Sequence, residues 1–128
     1  MEAKRVNKRS FGSIGEDIAA SYLERNNYTI LTRNYRVGRL GELDIIAKEG
    51  EYICFIEVKT RTSIFFGMPS EAVNYKKQVN IRRLASIYIS QHKLHSANIR
   101  FDVIEILGNR KNTGQFEVGS INLIQNAF

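Results

Sequence analysis

A chain of 128 residues with 43% hydrophobic and 25% charged side chains is long enough to bury a core without disulfides or a structural metal, and needs no second domain. Its formal charge of +6 has the sign expected of a partner rich in phosphate, although an anionic membrane surface would attract the same charge. No apolar run approaches the ~20 residues that span a bilayer, and the single cysteine, Cys54, excludes an internal disulfide and reads as a small buried hydrophobe. The opening residues are basic but lead into no apolar stretch, so they do not read as a secretory signal. A cytoplasmic protein without a membrane partner is expected, with a basic flexible arm over 1–10 and one domain over 11–128.

In chain order, Ile14, Ile18 and Tyr22 recur at helical spacing, and Ala19 and Leu23 widen the stripe, which predicts a helix over 13–25. Ser13 followed by Glu16 fits a capping box at its start. The β-branched and aromatic run from Tyr28 predicts a strand to Arg36, and Gly38 with Gly41 supplies a turn. A second strand follows over 43–48. After Gly50, residues 52–60 are almost continuously apolar, the mark of a central strand covered on both faces. Pro69 and Ser70 predict the start of a long helix to about His92, with Ile81, Leu84, Ala85 and Tyr88 on one face and Lys76 and Arg83 opposite. Strands over 99–106 and 116–124, separated by a loop over 108–114, complete the order αβββαββ. A three-strand meander, a crossover helix and a further strand give an α/β fold with a mixed central sheet flanked by helices.

Two of these strands carry charge where apolar residues are expected. Asp44 lies in Gly41-Glu42-Leu43-Asp44-Ile45-Ile46, and Glu57 and Lys59 interrupt Phe55-Ile56-Glu57-Val58-Lys59-Thr60-Arg61. Strand side chains alternate faces, so Glu57 and Lys59 share one side, and Asp44 meets them if its strand pairs alongside. Unpaired buried charge costs several kcal/mol, so such a cluster must be mutually neutralised or hold a cation. Hard carboxylate oxygens suit Mg²⁺, and an ammonium can orient or help ionise a water. Basic residues bracket the cluster: Arg33, Arg36 and Arg39 precede it, and Arg61 follows Lys59.

Asp44 with Glu57-Val58-Lys59 resembles the PD-(D/E)XK signature of restriction-endonuclease-like nucleases, except that Leu43 stands where a proline usually precedes the aspartate. The longer string of Gly15-Glu16, Asn34-Tyr35-Arg36, Gly41-Glu42-Leu43-Asp44 and Glu57-Val58-Lys59-Thr60-Arg61 resembles the YraN-like family of small bacterial proteins, relatives of the archaeal Holliday junction resolvases. The likeness runs from about Phe11 to Ile104. It implies a restriction-endonuclease-like αβββαβ core and a Mg²⁺- or Mn²⁺-dependent nuclease acting on DNA, including branched or junction DNA. In that reading Asp44 and Glu57 bind the metal, the Val58 carbonyl offers a further oxygen, and Glu16 approaches from its helix. Lys59 would hold the attacking water and offset transition-state charge. Resolvase relatives act as symmetric dimers, which makes a homodimer an expectation too.

Each residue also has a plainer reading. The capping box accounts for Glu16 without catalysis, and turn placement accounts for Glu42. Arg61 is either a phosphate contact or a solvated strand-end arginine. Lys77 falls on the apolar face of the second helix, where its stem can snorkel or its ammonium extend toward the carboxylates. Lys76, Arg82 and Arg83 form a solvated face; Arg36, Arg39, Arg61, Lys76, Lys77 and Arg83 are the candidate nucleic-acid contacts. Asp102 reads as a structural salt bridge to a helix cation, Phe65 and Phe66 as loop packing or base-stacking groups, and His92 and His95 as unconnected with a metal. Two further functions remain open: a nucleic-acid-binding module without turnover, and an accessory interaction protein whose acidic cluster is only structural.

Overall fold

The computed structural model describes residues 10–62 and 73–128. Its elements are α1 (Phe11–Arg25), β1 (Thr29–Arg36), β2 (Glu42–Glu49), β3 (Tyr52–Arg61), α2 (Tyr75–Gln91), β4 (Asn98–Arg110) and β5 (Phe116–Ile124). The five strands form one sheet in the order β1-β2-β3-β4-β5. Tight turns make β1, β2 and β3 an antiparallel meander, α2 carries the chain back so that β4 lies parallel to β3, and β5 returns antiparallel to β4. This is the mixed α/β arrangement expected from the element order, consistent with a restriction-endonuclease-like core.

Alternation along β3 divides the core in two. Ile53 and Phe55 face α2 and pack with Ile81, Leu84, Tyr88, Phe101 and Val103, whereas Cys54 and Ile56 face α1 and pack with Ala19, Leu23, Ile104 and Ile106. Both faces of β3 and β4 are therefore covered, which explains why their sequences are nearly unbroken apolar runs. Cys54 is fully buried as expected, and burial pushes its thiol up to about 12. No described helix is long and apolar enough to cross a membrane.

Three boundaries differ from the sequence expectation. The cap of α1 is Ser10, whose hydroxyl accepts the Ser13 N–H at 3.1 Å, so the Ser13–Glu16 capping box does not form and Glu16 sits inside the helix with its carboxylate free for other work. At α2, Asn74 is extended (φ −76°, ψ 173°) and its side chain accepts the Lys77 N–H at 2.9 Å, so the helix begins at Tyr75; Pro69 and Ser70 lie outside the described residues. Finally, β4 runs on to Arg110 and pairs Gly108, Asn109 and Arg110 with Val118, Glu117 and Phe116. Cross-strand pairing there overrides the low strand propensity of glycine and asparagine, and the turn shrinks to 111–115. Of the predicted arm, residues 1–9 lie outside the described residues.

Candidate active site

A break in sheet pairing creates the site. The β2–β3 ladder runs from Glu49 opposite Tyr52 to Ile45 opposite Ile56 and goes no further. The next residue, Asp44, uses its side chain where a backbone partner would continue the ladder: Oδ2 accepts the Val58 N–H at 2.8 Å. On the other side of β2, Asn34 adopts a left-handed backbone (φ 55°) that asparagine tolerates better than most residues. Its Nδ2 donates to Glu16 Oε1 at 2.8 Å. Helix α1 reaches this point because Gly15 has no side chain, and a Cβ there would collide with the Thr60 hydroxyl. Asn34 and the Gly15–Thr60 contact thus bring Glu16 to the break.

Three carboxyls result. Asp44 lies within hydrogen-bonding reach of Glu16 and of Glu57, and burial followed by the Glu57 charge pushes the Asp44 carboxyl up to about 8. Burial and the Glu42 charge also raise Glu16, against the opposing pull of Arg33. Glu57 is only 2% exposed. Its Oε2 holds the Lys77 ammonium at 2.6 Å and the Lys59 ammonium at 3.6 Å, while its Oε1 is buried with no hydrogen-bond partner among the described residues. Burial draws the Lys77 pKa down, but the bond to Glu57 and the charges of Glu57, Asp44 and Glu42 outweigh it and leave the ammonium raised. One oxygen of a buried carboxylate is thus doubly compensated and the other is bare, a state that costs roughly 1–3 kcal/mol or more for a charged group.

The remaining candidates separate. Lys77 joins the carboxylates. Arg61 is neither solvated nor aimed outward: its Nε lies 2.6 Å from Glu105 Oε2 in a pair that is largely buried, close in distance but off hydrogen-bond direction. Arg36 is exposed and 3.5 Å from Glu42, which belongs to β2 and not to the turn. Arg39, Lys76 and Arg83 are exposed. Arg82 does not join that solvated face, because its guanidinium stacks over Phe101 at 4.6 Å. Asp102 forms a structural salt bridge as expected, but its partner is Arg100 on its own strand and not a helix cation. His92 stacks on Tyr88 away from the carboxylates, and Phe65 and Phe66 lie outside the described residues. Asn34, Thr60 and Glu105 were missed by sequence reasoning; a glycine inside a helical pattern, directly before Glu16, was the one available signal of close approach.

Among the described residues, no three Asp, Glu, His or Cys side chains stand ready as a metal cage. Physically, the Val58 amide and the two ammoniums already engage Asp44 Oδ2 and Glu57 Oε2. The donor set still suits a hard divalent cation, since it offers carboxylate oxygens and one of them is buried and unpartnered.

Residues 15–106 match the model of the family described as "Uncharacterised protein family UPF0102". The chain is 52% identical over 122 residues to a UPF0102 protein of Acetivibrio thermocellus, covering 95% of this chain and 93% of that protein. It is 51% identical over 120 residues to one of Clostridium kluyveri, with 94% of each chain covered, and 49% identical over 123 residues to one of Caldicellulosiruptor saccharolyticus, covering 96% of this chain and 100% of the relative. The chain belongs to this family, the YraN-like family that its motif string resembles. The matched span includes Glu16, Asp44, Glu57, Lys59 and Lys77.

Proposed function

We propose that this member of the UPF0102 family is a nuclease that hydrolyses phosphodiester bonds in DNA with Mg²⁺ or Mn²⁺ held by Asp44 and Glu57, aided by Glu16 and the Val58 carbonyl. The observation that carries the reading is the bare, buried Oε1 of Glu57 beside a second carboxyl that burial and charge hold far above its ordinary range. A fold does not keep such a pair for stability, because an apolar pair of the same size would cost less. The bound cation would supply Lewis acidity toward the phosphoryl oxygens and lower the pKa of an attacking water.

The chain's own groups have distinct tasks. Asp44 is anchored on the Val58 amide, which fixes its orientation, and Asn34 holds Glu16 for the same purpose. Lys59, at 3.6 Å from Glu57 and 26% exposed, can turn its ammonium toward solvent to position a water and offset phosphorane charge. Lys77 balances Glu57 when no other cation does. Arg36, Arg39, Lys76 and Arg83 are exposed and supply the charge that tracks a phosphate backbone, whereas Arg61 contributes through Glu105, which lies opposite Lys59 in the parallel register. The motif likeness to junction resolvases favours branched DNA, a homodimer and a cytoplasmic setting within the same reading.

A second reading, a nucleic-acid-binding module without turnover, draws on one observation: Lys77 already sits on Glu57 where a cation would bind. Incubation of labelled duplex, flap and four-way-junction DNA with the protein in Mg²⁺, Mn²⁺ or chelator separates the two. Metal-dependent cleavage abolished by Asp44→Asn supports the nuclease; binding without cleavage in either metal supports the module.

A further inference from the structure

Beside the carboxylates, between the β1–β2 turn and the first half of α2, lies a cleft of about 370 Å³. Its floor is apolar, formed by Leu40, Ile81 and Leu84; Asn80 and Lys76 line it, and Asp44 closes one end. Clefts of about 300–1,000 Å³ with apolar walls and a few convergent polar groups are the usual form of a small-ligand site. Asn80 is half-buried, and its amide has no hydrogen-bond partner among the described residues. Lys76 is exposed.

We infer that this cleft receives one unpaired nucleobase next to the scissile phosphate, so that the substrate is DNA with an unstacked nucleotide at the cut, as at a flap or branch point, and not a continuous duplex. This rests on the nuclease reading and narrows it to a substrate class. The chemistry of each wall matches one part of a nucleotide. Leu40, Ile81 and Leu84 cover the faces of a base, whose burial is favourable whatever its identity. The Asn80 amide carries both donors and an acceptor, the combination that reads a base edge. Lys76 meets the backbone by charge, and Asp44 at the end of the cleft sets the adjoining phosphate against the carboxylates. Bases of an intact duplex are paired and stacked, so they reach such a pocket only at the cost of unstacking, a few kcal/mol, whereas a flap or branch nucleotide has already lost its partners.

The test uses the full chain in chelator, so that binding is read without cleavage, with two DNAs of equal length: a continuous duplex, and one carrying a single unpaired 2-aminopurine at a flap junction. No aromatic side chain lines the cleft, so a base drawn out of the stack into it should gain emission. Binding of the flap DNA about tenfold tighter than the duplex, with an emission rise, is expected. Asn80→Phe, which fills the cleft, should reduce flap affinity to the duplex level and remove the emission rise while duplex affinity is unchanged; Asn80→Ala should lose only part of the preference. Equal affinity for both DNAs, or a preference that survives Asn80→Phe, overturns the cleft assignment and leaves the nuclease reading standing. Failure to bind either DNA overturns both.

Discussion

Two buried polar clusters lie toward opposite ends of β3 and β4, and they are built in opposite ways. Near the start of these strands, Arg100 reaches Asp102 with three contacts of 3.0–3.2 Å, and Glu49 and the Tyr28 hydroxyl at 2.8 Å each. Asn126 N–H donates to Asp102 Oδ1 at 2.8 Å, Gln125 donates to the Tyr28 hydroxyl, and the Tyr52 ring lies under the guanidinium at 5.1 Å. Charge and hydrogen bonds close on themselves. At the other end, Glu57 keeps a bare oxygen, Asp44 and Glu16 crowd it, and the Thr60 hydroxyl is likewise unpartnered among the described residues. Closed networks rigidify a fold, and open ones mark places where something else is meant to bind.

Breaking each cluster should therefore have opposite consequences. The largest effect expected is catalytic: Asp44→Asn, Glu57→Gln and Lys59→Ala should each lower single-turnover cleavage by about a thousandfold while affinity for DNA changes little, because these groups act on the transition state. Three variants that cut at the parent rate would remove the site. Next in size, Arg100→Ala strands the fully buried Asp102 carboxylate and should destabilise by roughly 3–5 kcal/mol in chemical denaturation. Cleavage per folded molecule should survive, and a selective loss of activity without loss of stability would erase the contrast between the clusters.

A smaller effect sharpens the same contrast through pH. The Asp44 carboxyl is raised from 3.8 to about 8 in the fold, so the native state binds a proton that the unfolded chain releases. Its contribution is thus most favourable near pH 4, is lost as pH rises through that window, and levels off above about pH 8. Compared with Asp44→Asn, whose amide oxygen can still accept the Val58 N–H, the parent in chelator should be similarly stable near pH 4. It should be less stable by on the order of 2 kcal/mol at pH 8. A parent–variant difference that stays constant across the window would place Asp44 in an ordinary polar setting. The smallest effect concerns the surface: reversing charge at Lys76 and Arg83 together should lower the salt slope of DNA binding by about one to two counterions, and an unchanged slope assigns both to solvent.

The fold was legible wherever hydrophobic period decided it. The unbroken apolar character of β3 announced a strand covered on both sides, and the spacing of Ile81, Leu84 and Tyr88 announced the buried face of α2. Caps were less legible, since Ser10 and Ser13 are equally good cap residues and only packing selects between them. In the site, the motif brought Asp44, Glu57 and Lys59 to attention, and the wheel placed Lys77 on the inner face. What stayed hidden was Asn34 reaching Glu16 and Arg61 reaching Glu105, because both contacts join elements whose distance is set by the whole fold.

Thermal melting of the parent and Asp44→Asn, in chelator and in Mg²⁺ or Mn²⁺, tests most directly whether the open cluster is a metal site. In chelator, the variant is relieved of like charge and should melt higher than the parent. Added metal binds only the intact native site, so it should raise the parent's melting temperature by mass action and leave the variant almost unmoved. A variant that melts lower in chelator and responds to metal as the parent does would contradict the account, because Asp44 would then be a structural acceptor for the Val58 amide and nothing more.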